Sequence, residues 1–171
     1  MSTTIDGSNS VTINSGAVLG ITSGTAVAST SGTSIDFTSI PSWVKRITVM
    51  FNGVSTNGSS QVQVQIGSGS IVTTGYAGGA SYGITTVSYS AVFLVHVNIS
   101  SSTVAYGNII IANVSGNSWV QSGTVGSTGS NTTCVGSGGL SLSGALDRIR
   151  ITTVNGTDAF DAGSVNILYE G

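Results

Sequence analysis

Residues 47–146 contain no aspartate, glutamate, lysine or arginine. Charged residues make up 6% of the whole chain, against about a quarter in ordinary soluble domains. The surface must therefore be wetted by hydroxyls, amides and bare backbone. Serine, threonine, valine and isoleucine dominate, with 25 glycines and one proline, Pro41. β-Branched residues favour strands, and glycine with asparagine favours the tight turns between them. With 39% hydrophobic residues and 171 positions, the chain is long enough for one domain with a real core.

Apolar periodicity locates the strands. Residues 61–66 (QVQVQI) alternate strictly, with Val62, Val64 and Ile66 on one face and glutamines on the other. Ile47, Val49 and Phe51 alternate in the same way within residues 45–52. Residues 86–99 read as one long strand whose centre, AVFLVHV, is apolar on both faces, as in a packed central strand. Residues 71–76, 106–114, 119–125, 134–142, 146–153 and 158–169 complete the set. Gly/Ser stretches such as residues 123–130 read as loops. No segment reads as more than one helical turn, near Ser42, and no fixed short repeat argues for a solenoid. The expectation is an all-β fold: an antiparallel β-sandwich or jelly roll of about nine strands over residues 34–171. Residues 1–33 lack aromatics and carry one charge, Asp6. Such a segment cannot offset its own ordering entropy, so it is expected to form an N-terminal attachment arm or short stalk.

The last two strands allow a sharper expectation. Asn155-Gly156 is the preferred pair for a two-residue hairpin turn. That register sets Ile151 opposite Phe160 and Arg150 opposite Asp161, a structural ion pair. Val165, Ile167 and Tyr169 then have the wrong parity to share a face with Phe160. A bulge near Ala162-Gly163 would restore it.

Groups able to do chemistry are scarce. His96, the sole histidine, lies within the apolar strand and reads as a core or interface residue. The sole cysteine, Cys134, excludes an intrachain disulfide and reads as a small semi-buried thiol. Asp158 and Asp161, with Asp147 nearby, are the candidates for paired carboxylate catalysis or, with Asn155, for calcium. Their place on the expected hairpin favours a structural use, so neither catalytic residues nor metal ligands nor a cofactor are assigned. Tyr76 and Tyr82 flank a glycine-rich loop (GYAGGASYG), and Trp119 follows a turn. These three are the candidate contacts for a receptor or glycan, while Trp43 reads as structural. A net charge of −2 with four cations, Lys45, Arg46, Arg148 and Arg150, argues against nucleic acid or an anionic membrane as partner. No window is apolar enough to span a bilayer as a helix. The N-terminus lacks the features of a secretory signal, so synthesis in a reducing cytosol is expected. Uncharged polar surface is cheap to bury between subunits, which favours an oligomer.

Two segments resemble a known module. Residues 32–58, GTSIDFTSIPSWVKRITVMFNGVSTNG, and residues 140–170, ending LDRIRITTVNGTDAFDAGSVNILYE, are similar to the ends of a domain found in tail fibre and related appendage proteins of tailed bacteriophages. Together they span about a third of the chain and bracket the sandwich. The resemblance implies a non-enzymatic virion protein made in the bacterial cytoplasm. It further implies a homotrimeric tail fibre or short appendage that binds a host surface glycan or protein. Residues 1–33 would then contact other virion proteins. The short leader departs from the long shaft of such fibres and keeps a second reading open, that of a capsid decoration or head-fibre protein with a structural role. A polysaccharide depolymerase ranks last.

Overall fold

Alternating burial along the long central strands organises the molecule. Ile47, Val49 and Phe51 point inward from a strand whose intervening residues are more exposed. The computed structural model describes residues 20–90, 93–97, 99–129 and 131–171, with the backbone pairing of two short N-terminal strands. In chain order the strands are β1 (Thr12–Ile13), β2 (Gly16–Ala17), β3 (Thr22–Ser23), β4 (Val27–Ala28), β5 (Ser34–Thr38) and β6 (Arg46–Thr56). There follow β7 (Val62–Ser68), β8 (Ser70–Ile71), β9 (Ala77–Tyr82), β10 (Thr85–Tyr89) and β11 (Phe93–His96). The last five are β12 (Val104–Ser115), β13 (Ser118–Thr128), β14 (Thr133–Ser141), β15 (Arg148–Thr153) and β16 (Phe160–Glu170). Among the described residues there is no helix, and every strand pairing is antiparallel.

Two sheets carry the core. The large sheet runs β10-β9-β14-β13-β12-β6-β16, with β3 and β4 on the far edge of β16. The small sheet runs β11-β7-β15-β5, with β8 folded back on β7. Register aligns apolar side chains into rows. In the large sheet Ile47 lies between Ile111 and Tyr169, and Val49 between Ile109 and Ile167. In the small sheet Phe93, Val64, Ile151 and Ile35 form one row, and Ile66, Ile149 and Phe37 the next. These rows meet in one buried cluster. Each large side chain removed from water there contributes about 1.5–3 kcal/mol, which identifies this cluster as the source of the fold's stability.

Glycine replaces side chains where β14 meets β11. A Cβ on Gly136 would lie 2.9 Å from the Leu94 carbonyl oxygen, and one on Gly138 would lie 3.2 Å from the Phe93 ring. The glycine-rich inner face of β14 thus lets β11 and Phe93 lie against backbone.

Several sequence expectations change. The expected strand 86–99 is two strands, β10 and β11, which belong to different sheets. The expected glycine loop around residue 79 is strand β9, hairpinned to β10. Residues 123–128, expected as a loop, extend β13. The Asn155-Gly156 turn does not make a hairpin: β15 pairs with β5 and β7, whereas β16 pairs with β6. The turn carries the chain from one sheet to the other, with Gly156 donating its N–H to Thr153 O at 3.0 Å. Ile151 and Phe160 are both buried, but on different sheets. The bulge is present. Register shifts on both sides of Ala162, and Gly163 adopts φ +90°. Of the expected arm, residues 1–11, 14, 15, 18 and 19 lie outside the described residues. Its β3 and β4 are exposed and are bonded to the free edge of β16.

Candidate functional site: a polar cleft on the small sheet

The outer face of the small sheet is built from the side chains that alternate with the core rows. Register places Ser34, Thr152, Gln63 and Leu94 in one outer row, and Asp36, Arg150 and Gln65 in the next. The glutamines of QVQVQI would ordinarily be solvated. Instead Gln63 and Gln65 are buried, 5% and 7% exposed. β9 and β10 pack against β11 at the edge of this sheet. Ala80 packs with Leu94, Val97 and Cys134 in a second small cluster, against which Tyr82, Val87 and Tyr89 lie. Tyr89 ends β10 only four residues before β11, which brings it to the outer face of the small sheet. Tyr89 and Thr73 then line a cleft of about 430 Å³ together with Gln63, Gln65, Arg150 and Thr152.

The polar groups of the cleft are held in place. Gln63 Nε2 donates to Thr153 O at 3.2 Å, while its Oε1 is buried without a hydrogen-bond partner. Thr152 Oγ1 donates to Thr33 O at 2.8 Å. Arg150 donates through Nε and Nη2 to the two oxygens of Asp36, each at 2.7 Å. The Asp36 hydrogen bonds raise the Arg150 pKa further, so this guanidinium stays charged and its charge is matched by its neighbour. Burial pushes the Tyr89 hydroxyl above its ordinary pKa, so it is a neutral phenol at physiological pH.

The expected Arg150–Asp161 ion pair is corrected by this geometry. Arg150 lies opposite Asp36 across β15 and β5, and Asp161 stands on the other sheet. There Asp161 accepts a hydrogen bond from Ser55 Oγ. The other carboxylates are also tied down. Asp158 accepts from Asn155 Nδ2 at 2.7 Å and from Ser60 N at 2.9 Å, bonds that hold its pKa down. Asp147 accepts from Arg148 Nε at 2.8 Å and from Gly69 N, which lowers its pKa in turn. Glu170 lies 3.5 Å from Arg46. No group of three or more histidine, cysteine, aspartate or glutamate side chains forms a metal cluster among the described residues.

The aromatic candidates divide. Tyr76 is buried, accepts from Ile66 N at 2.8 Å, donates to Val72 O at 3.0 Å, and meets Phe93 edge-on with centroids 4.8 Å apart. It is a core residue and offers no surface to a ligand. Tyr82 is half-buried against the Leu94 cluster. Trp119 is also buried, and lines a second, mostly apolar cleft with Val72, Val114, Val120 and Leu140. Trp43 is partly buried, tilted against Tyr169. His96 is fully buried with neither ring nitrogen hydrogen-bonded, and burial lowers its pKa, so it is a neutral core imidazole. Cys134 is buried, its sulfur 3.5 Å from both N and O of Val97, and desolvation raises its pKa. Such a thiol is inert.

Sequence reasoning thus missed Tyr89, Gln63, Gln65 and Thr152 as neighbours, and gave Arg150 a different partner. The glutamine face of residues 61–66 was the one available signal. Comparison with protein-family models, with curated proteins and with solved structures finds no match to this chain.

Proposed function

We propose that the chain is a non-enzymatic appendage module of a tailed-phage virion, assembled as a homotrimer, that recognises a molecule on the host surface. The observation carrying this reading is the chemistry of the polar cleft. It offers amides, hydroxyls, a neutral phenol and a guanidinium already matched by a carboxylate. Groups of this kind hold a ligand by hydrogen bonding and contact and supply no tuned acid, base or nucleophile. Among the described residues each carboxylate is engaged in a structural contact, which supports the same reading. The two phage-like segments supply the virion context. They include β5 and β6 at one end of the domain and β15 and β16 at the other.

The test is to label phage particles with an antibody against this chain and locate it by electron microscopy. Label on tail tips or fibres supports the reading. Label spread over the capsid lattice favours a decoration protein, and unlabelled particles overturn the virion assignment. Sedimentation at micromolar concentration should give a trimer, and a stable 17.0 kDa monomer would remove that element.

A further inference from the structure

We infer that the outer cleft of the small sheet binds a neutral pyranose saccharide, with Tyr89 as its stacking platform. This rests on the recognition reading above and names its ligand class. A pyranose presents hydroxyls at regular intervals, each both donor and acceptor, around a ring with a face of C–H bonds. The cleft matches both demands. Gln65 carries a donor and an acceptor on one planar group, while Gln63 is held through Nε2 by Thr153 O and leaves its buried Oε1 with no partner within the protein. Thr152 adds a hydroxyl to the row. Tyr89 supplies an aromatic ring, whose electron-rich face attracts the partly positive C–H edge of a sugar.

Charge and size narrow the class. Arg150 lines the cleft with its charge already matched by Asp36, so the cleft offers guanidinium N–H donors without an unpaired positive charge. An acidic sugar or a phosphate would have to draw Arg150 away from two 2.7 Å hydrogen bonds to Asp36. A volume of about 430 Å³ lies within the range of small-ligand sites and accommodates about one or two pyranose rings.

The experiment is saturation-transfer NMR and titration on the full chain. The neutral probes are maltose, lactose and mannobiose; glucuronate, N-acetylneuraminate and inorganic phosphate form the acidic arm. At least one neutral disaccharide should bind with Kd on the order of millimolar. Tyr89→Leu, which keeps apolar packing on the Leu94 cluster but removes the ring, should weaken it about tenfold or more. Gln65→Met should do likewise, with near-ultraviolet circular dichroism confirming that both variants fold. Absence of binding by every neutral probe overturns the inference. So does binding that both folded variants retain, or binding confined to the acidic arm. Failure here leaves the virion reading standing, because particle labelling decides that separately. Saccharide binding by a chain that never labels particles would keep the cleft and remove the virion.

Discussion

Arg150 and Asp36 face each other across β15 and β5 in a two-pronged contact, with Nε and Nη2 each 2.7 Å from a carboxylate oxygen. The pair joins residues 114 positions apart, and it rests on the outer face of the sheet whose inner face carries Ile35, Ile149 and Ile151. Both side chains are more than a third exposed, at 39% and 38%. Solvent screening therefore limits the pair to about 0.2–1 kcal/mol.

A double-mutant cycle tests this pairing. Arg150→Ala and Asp36→Ala should show a coupling of about 0.5 kcal/mol in urea unfolding, shrinking in about 1 M salt. Arg150→Ala and Asp161→Ala should show none, because those side chains stand on different sheets. Coupling in the second cycle and not in the first would contradict the register.

Gly163 and Gly156 both adopt positive φ, +90° and +69°, yet they should respond differently to alanine. Around Gly156 an added Cβ meets open space, so Gly156→Ala should cost about 1 kcal/mol for the left-handed backbone alone. At Gly163 the same atom would overlap the backbone of Gly53, where the bulge draws β16 tight against β6. Gly163→Ala should therefore cost about 3 kcal/mol or more, read as a shift in denaturation midpoint. Equal costs at the two sites would mean that the bulge is not so tightly closed.

That bulge was legible in the residues themselves. Phe160 and the set Val165, Ile167 and Tyr169 have opposite parity along a strand, and an inserted residue is the local way to put both sets on one face. The alternation in β6 and β7 was legible for the same reason, since period two is a property of neighbouring residues. The hairpin at Asn155-Gly156 was misread because a turn signal specifies a reversal and not the partner of the strand that follows. β16 packs Val165, Ile167 and Tyr169 beside Phe51, Val49 and Ile47, a choice made by distant residues. The cleft is less legible still. Ser34, Gln65, Tyr89 and Arg150 converge only because β5, β7 and β15 are neighbours and the end of β10 leads into β11 on the same sheet. No spacing in the chain encodes that convergence.

Tyr76 should reveal itself through its hydroxyl. Tyr76→Phe keeps the edge-on contact with Phe93 but strands the Ile66 N–H in the core, at a cost of about 1–3 kcal/mol. Burial also pushes the Tyr76 pKa up to about 12, above the ordinary value near 10. The unfolded chain then loses this proton first as pH rises, so the contribution is complete below about pH 10 and is lost between there and about pH 12. Urea unfolding across that range should show the parent declining faster than Tyr76→Phe. Parallel declines would indicate that the hydroxyl ionises freely in the folded state.

His96 sets the acid side of the stability profile. It sits in β11 fully buried, with both ring nitrogens lacking a hydrogen-bond partner, and burial lowers its pKa below the ordinary value near 6.5. The unfolded state takes up a proton as pH falls through about 6.5, whereas the folded state resists it. Stability should therefore decline below about pH 6.5, with a slope of at most about 1.4 kcal/mol per pH unit, until the folded histidine itself titrates. His96→Leu removes both the proton site and two unsatisfied polar atoms. At pH 8 it should lie within about 1 kcal/mol of the parent, since an apolar replacement of unpaired buried groups is nearly neutral. At pH 5.5 it should be the more stable protein, its profile having lost the histidine slope. Urea midpoints at the two pH values decide the matter: an unchanged difference between parent and variant would show that the imidazole is hydrogen-bonded or open to water.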